Sequence, residues 1–158
     1  MNTAPDPGEN HLMPELPRRL ISLFVVAVLF NFPWEVAQMP LYVTEGSLLE
    51  FMQHGIVPSL GDGLIVLLIF GIGWLLRRRP DWSDRPGIAG YTLMLLTGFA
   101  LAVLIEWAAL SVGRWSYSAR MPQMPGLGVG ASPILQMLVL PPLIFRVTAW
   151  YLNRRQGV

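Results

Sequence analysis

The sequence predicts an all-α, polytopic integral membrane protein with four transmembrane helices in one compact bundle, and three observations carry that class. Apolar residues make up 53% of the 158-residue chain against 13% charged, and the mean hydropathy is +0.49. Four stretches reach the roughly 20 mostly apolar residues that a helix needs to cross the hydrocarbon: Leu20 to Met39, Ser59 to Leu76, Ile88 to Val112 and Ser132 to Leu152. The cationic side chains are all arginine, gathered in short clusters beside these stretches. A soluble domain needs more polar surface. A net charge of +1 with no basic face sets nucleic-acid binding aside. With no cysteine, disulfides, thiolate metal sites and thiol nucleophiles are excluded.

Residues 1–17 hold prolines and acids and read as a flexible polar tail, leaving residues 18–158 as a single transmembrane domain. Arg18 and Arg19 precede the first span. That span is too long for an export signal, runs on into Asn31, Trp34 and Glu35, and is followed by no small-x-small cleavage site. In the first loop Ser47 and Glu50 have capping-box spacing, and Leu48, Leu49, Phe51 and Met52 predict a short helix lying in the interface. The second span is the shortest and places Asp62 in its first turn, where a helix N-terminus steadies an anion. Arg77, Arg78, Arg79 and Arg85 fill the second loop, and the third span reaches Glu106 near its end.

The third loop is rich in glycine and proline. Its Gly126-Leu127-Gly128-Val129-Gly130 run looks like a phosphate loop, but it follows no strand and opens onto a span, so it reads as a flexible turn. Ser132 then caps the fourth helix with Pro133 at its first position, and Pro141 and Pro142 predict a kink near its middle. Arg146 snorkels to an interface, and Arg154 and Arg155 close the helix. Arginine placement puts both termini in the cytoplasm, with Arg114 and Arg120 a minority on the outer side. Trp150 and Tyr151 fit the inner interfacial belt and Tyr42 the outer one. The arginine-only, alanine- and leucine-rich composition points to a GC-rich bacterial genome and hence to the bacterial inner membrane.

Ionisable residues inside spans are costly and mark functional sites by default. On the first span Asn31, Glu35 and Gln38 are spaced by four and then three residues and share one helical face, which cannot look at lipid. Asp62, Glu106 and Gln136 sit at the same membrane depth on the other spans, so every span contributes a polar side chain to the outer half. Trp34, Arg114, Trp115 and Tyr117 complete the expected pocket. The bland alternative is interhelical glue, with hydrogen bonds worth ~0.6 to 2 kcal/mol each. Three carboxyls and three amides exceed what glue requires.

Carboxyl groups sharing a low-dielectric site cannot all ionise, so one holds a proton while another stays charged, a general acid and base pair. Such a pair suits protonation of a carbon-carbon double bond, or activation of water, on a substrate entering sideways from the bilayer. Glu35 and Glu106 are the choice for the pair, with Asp62 the more solvated carboxylate; acid and base stay unassigned between them. A divalent metal on Glu35, Asp62, Glu106 and His54 is a second chemistry, although no pair has diagnostic ligand spacing, and His54 is a weak candidate. Copper(I) on Met39, Met52, Met121, Met124 and Met137 is a third, against the ordinary use of methionine in packing. Ser111, Ser116 and Ser118 lack a positioned histidine, so a serine nucleophile is unsupported.

Asn31-Phe32-Pro33-Trp34-Glu35 through Tyr42, Gly61-Asp62, Glu106-Trp107, Gly113-Arg114-Trp115-Ser116-Tyr117, Met121-Pro122 and Ser132-Pro133 with Gln136 resemble a widespread group of small uncharacterised bacterial four-span membrane proteins. That resemblance covers all four spans and implies the fold without naming a reaction. Glu106, Gly113, Trp115, Tyr117 and Pro133 are more faintly similar to a turn in the membrane carotenoid hydratases and cyclases. This likeness implies an isoprenoid substrate protonated by a carboxylic acid. The leading expectation is therefore a membrane-embedded enzyme acting on an isoprenoid, carotenoid or other lipid. The alternative is a non-catalytic accessory or assembly subunit of a larger membrane complex, and an ion pathway ranks last. The sequence names no cofactor, and with only four spans it favours a homo-oligomer or larger membrane complex in either case.

Overall fold

The computed structural model describes residues 15–43 and 47–156. The expected tail, up to residue 14, lies outside the described residues, as do the side chains of Glu50, His54 and Arg155. Helix α1 spans Glu15–Gln38 and ends in a single 3-10 turn, Met39–Leu41. Helix α2, Leu48–Phe51, runs through a wide π turn, Met52–Ile56, into α3, Val57–Arg77; α4 spans Gly87–Ser111 and α5 Ala131–Gln156. Among the described residues four segments are long and apolar enough to cross a bilayer: Leu16–Leu41, Val57–Arg77, Gly87–Ser111 and Ala131–Arg154. Their outward faces leave Ile21, Leu29, Leu64, Leu96 and Leu104 exposed, as a lipid-covered surface requires. The chain is an all-helical, multi-pass membrane protein.

Helix α1 packs along α3 and α5, and α5 packs along α4, whereas α3 and α4 touch only sparsely. The bundle is therefore closed on three seams and thin on the fourth. At the end that carries Glu15 and Gln156, an apolar core joins Leu23 and Ala27 of α1, Val66, Ile69 and Phe70 of α3, Met94 of α4 and Leu140, Ile144 and Phe145 of α5. The α3–α4 loop folds back into this core. Trp82 is fully buried, its ring lies against Phe70 and Phe145, and its indole N–H donates to the Phe70 carbonyl at 3.1 Å. The ring fits because position 73 is glycine: a Cβ there would sit 2.1 Å from the indole. Arg19 fastens the loop to α1 by a two-pronged ion pair with Asp84.

At the opposite end two isolated β-bridges, Tyr42 with Tyr117 and Gln123 with Gly130, tie the loops together. The glycine run takes a left-handed conformation at Gly126 and Gly128, and the turn is closed by Met124 N–H donating to the Val129 carbonyl at 2.8 Å. Three helix ends differ from the sequence reading. Helix α1 begins at Glu15, so Pro17 belongs to it. Helix α3 starts at Val57 and continues from the π turn, which places Asp62 beyond the first turn and away from any free helix end. Helix α5 starts at Ala131 and runs on through Pro141 and Pro142, and the Ser132 hydroxyl reaches across to α1 instead of capping its own helix.

Candidate functional site

The polar face of α1 is buried against α3 and α5. Asn31, Glu35 and Gln38 are all covered, and so are Asp62, Glu106 and Gln136 from the other three spans. Asp62, read from the sequence as the more solvated acid, is 9% exposed, beside 6% for Glu35 and 4% for Glu106, so all three are buried.

Gln136 is the hub. Its Nε2 lies 2.8 Å from Asn31 Oδ1, 2.7 Å from Glu35 Oε1 and 2.7 Å from Asp62 Oδ2. Amide orientation follows from the rest of the network. Asn31 donates its own amide to the Ala27 carbonyl at 2.8 Å, which turns Asn31 Oδ1 toward Gln136 and obliges Gln136 to present its NH2. Gln136 Oε1 then accepts from Gln38 Nε2 at 3.2 Å, and Gln38 Oε1 accepts from the Ser132 hydroxyl at 2.7 Å. Every donor in this chain points the same way, from Ser132 down to the backbone of α1.

Glu106 is held separately. Its Oε2 accepts from the Trp115 indole at 3.2 Å and from the Tyr117 hydroxyl, and that hydroxyl accepts from Gly130 N–H at 2.8 Å. The loop after α4 thus folds over the carboxyl that ends α4. Burial, then the hydrogen bond to Glu106, pushes the Tyr117 phenol up from its ordinary value.

These groups border one cavity of about 90 Å³. Glu35, Gln38, Asp62, Glu106 and Gln136 form its polar side, with apolar walls from Ile65, Ala102 and Met137. Its partly exposed lining residues are Pro58 and Ile65 of α3 and Ile105 of α4, on either side of the thin α3–α4 seam, together with Tyr42 and Trp115 of the loops. Among the described residues that line it, none is basic. No group of three or more His, Asp or Glu side chains suited to a metal ion occurs among the described residues.

Most of the residues singled out from the sequence converge here, and two do not. Trp34 packs its ring against the apolar core, and its buried indole N–H has no hydrogen-bond partner among the described residues. Arg114 is exposed and outside the lining. The side chain of His54 lies outside the described residues. Of the methionines, Met137 lines the cavity, while Met121 is buried against Gly130.

Sequence reasoning missed Tyr42, which it assigned to an interfacial belt. The ring lines the cavity, perpendicular to Trp115 at 6.3 Å between centroids and 5.7 Å from Tyr117. The signal was present: Tyr42 follows Gln38 by four residues and extends the Asn31, Glu35, Gln38 stripe by one more turn.

No protein-family model matches this chain, and no curated protein or solved structure matches it.

Proposed function

We propose that this chain is an enzyme embedded in the bacterial inner membrane, with both termini cytoplasmic, that performs acid-base chemistry on a lipid entering sideways between α3 and α4. Isoprenoids are the substrate class that its sequence resemblances favour. The single observation behind this reading is the cavity: three carboxyls meet in an apolar-walled space that borders the thinly packed α3–α4 seam. A purely structural polar cluster has no use for that space.

The geometry suggests different roles for the acids than the sequence did. Gln136 offers two N–H protons to three oxygens, and two of those belong to Glu35 and Asp62. Two carboxyls in one low-dielectric site avoid mutual repulsion by sharing a proton. The Glu35–Asp62 pair is then the acid. Glu106, with two donors on one oxygen, is arranged as a carboxylate and is the base. In one turnover a proton passes from the pair to the substrate and another from the substrate to Glu106, and exchange with water then takes the proton from Glu106 and restores one to the pair.

The test compares lipid extracts from cells with and without the protein, alongside Glu35→Gln, Asp62→Asn and Glu106→Gln. A lipid that changes with the wild-type chain and reverts in each variant supports the reading. An unchanged lipid and pigment profile sinks it and leaves the accessory-subunit alternative standing.

A further inference from the structure

The donors around the cavity are almost all engaged. Gln136 and Gln38 donate within the amide chain, Ser132 donates to Gln38, and the Trp115 indole and Tyr117 hydroxyl both donate to Glu106. Tyr42 is the exception. Among the described residues no group is hydrogen-bonded to its hydroxyl, yet its side chain lines the cavity with the acids. Tyr42 is only partly buried, so its phenol stands at this space as a donor free to meet a ligand.

Its position is fixed. Pro40 stands in the 3-10 turn that ends α1, and the backbone on either side of Tyr42 is pinned to the third loop: Val43 N–H donates to the Ser116 carbonyl at 3.0 Å and Ser118 N–H to the Leu41 carbonyl at 2.9 Å. The Ser118 hydroxyl adds a bond to the Pro40 carbonyl at 3.1 Å. The ring packs against Trp115 and Tyr117, which hold it over the cavity.

We infer that the Tyr42 hydroxyl is the anchor for an acceptor oxygen on the bound lipid, and that the lipid is therefore oxygenated near its buried end and not a bare hydrocarbon. Two further observations agree. Burial, followed by the nearby Glu106 and Glu35 carboxyls, pushes the Tyr42 phenol well up from its ordinary value, so it remains a donor across the physiological range. Apart from the one proton held by the Glu35–Asp62 pair, the remaining polar lining consists of carboxyl oxygens and committed amide and indole donors. A carbonyl and a hydroxyl oxygen share this acceptor chemistry.

The inference rests on the lipid-binding part of the proposed function, and a binding experiment separates the two. Full-length protein in lipid nanodiscs is equilibrated with radiolabelled 2-tridecanone, 2-tridecanol or tridecane, and retention above protein-free discs is measured. Both oxygenated probes should bind more tightly than the alkane. Tyr42→Phe, which keeps the ring, should weaken both by about fivefold and leave the alkane unchanged, and an unshifted thermal midpoint would show the variant folded. Equal binding of all three probes, or an oxygen preference that survives in Tyr42→Phe, overturns the inference. Tyr42-dependent binding with no lipid change in cells would remove the enzyme reading and keep this one.

Discussion

Glu35 and Asp62 stand on different helices, yet each sets a carboxyl oxygen 2.7 Å from the same atom, Gln136 Nε2. One nitrogen on α5 thus joins the acids of α1 and α3. Removing it exposes the repulsion between them and unties three helices at once.

Gln136→Leu should therefore be the most damaging single change in the amide network. Intramembrane hydrogen bonds contribute about 0.6 kcal/mol on average. With partners on Asn31, Glu35, Asp62 and Gln38, the loss should reach about 2 kcal/mol. Gln38→Leu, which has two partners, should lose about half as much. Denaturant titrations of the purified protein in mixed micelles would rank them, and equal costs would argue against Gln136 as the hub.

Apolar carbodiimides attack protonated carboxyls. Peptide mapping after treatment should find the adduct on Glu35 or Asp62 and little on Glu106, because the Trp115 and Tyr117 donors occupy one oxygen of Glu106. Gln136→Leu should change the amount of adduct on the pair. Preferential labelling of Glu106 would reverse the assignment of acid and base.

The Tyr42 and Tyr117 phenols are pushed up in the folded chain. A group whose folded pKa exceeds its unfolded value lends full stability below the unfolded pKa, about 10 for a phenol, and loses it as pH climbs toward the folded value. Thermal midpoints should therefore hold steady up to about pH 9 and fall more steeply beyond pH 10. In Tyr42→Phe that alkaline fall should be shallower. An identical slope would mean that the phenol is more solvated than its burial implies.

Two glycines of α3 should respond oppositely to alanine. At Gly73 the new Cβ meets the Trp82 ring at 2.1 Å, and the cost should exceed about 2 kcal/mol. At Gly61 nothing lies within 4 Å, so Gly61→Ala should gain up to about 1 kcal/mol from helix propensity. Comparable losses at both sites would show that Trp82 is not wedged as described.

Single cysteines in this cysteine-free chain would report sidedness. Val43→Cys, at an exposed position, should react with an impermeant thiol reagent from the outer side, and Arg79→Cys only after the inner side is opened. The reverse pattern would invert the orientation.

The sequence was informative where a physical rule is local. Span length and hydropathy sufficed for four helices, and the spacing of Asn31, Glu35 and Gln38 placed all three on a buried face. What escaped depends on partners far along the chain. The Ser132 hydroxyl has the position of a cap, and only the approach of α1 turns it toward Gln38. Asp62 read as a helix-end anion because the π turn joining α2 to α3 leaves no mark in hydropathy. Tyr42 read as an interfacial aromatic until the bridge to Tyr117 brought it over the acids.

The apolar core around Trp82 has an electrical consequence. Leu23, Ala27, Phe70, Met94, Ile144 and Phe145 form a layer of apolar side chains between the acids and the end of the bundle that carries Glu15 and Gln156. Most of a transmembrane voltage would drop across that layer, because field concentrates where polarizability is lowest. Such a layer would keep the membrane insulating and leave proton exchange at the acids to the aqueous phase on their own side.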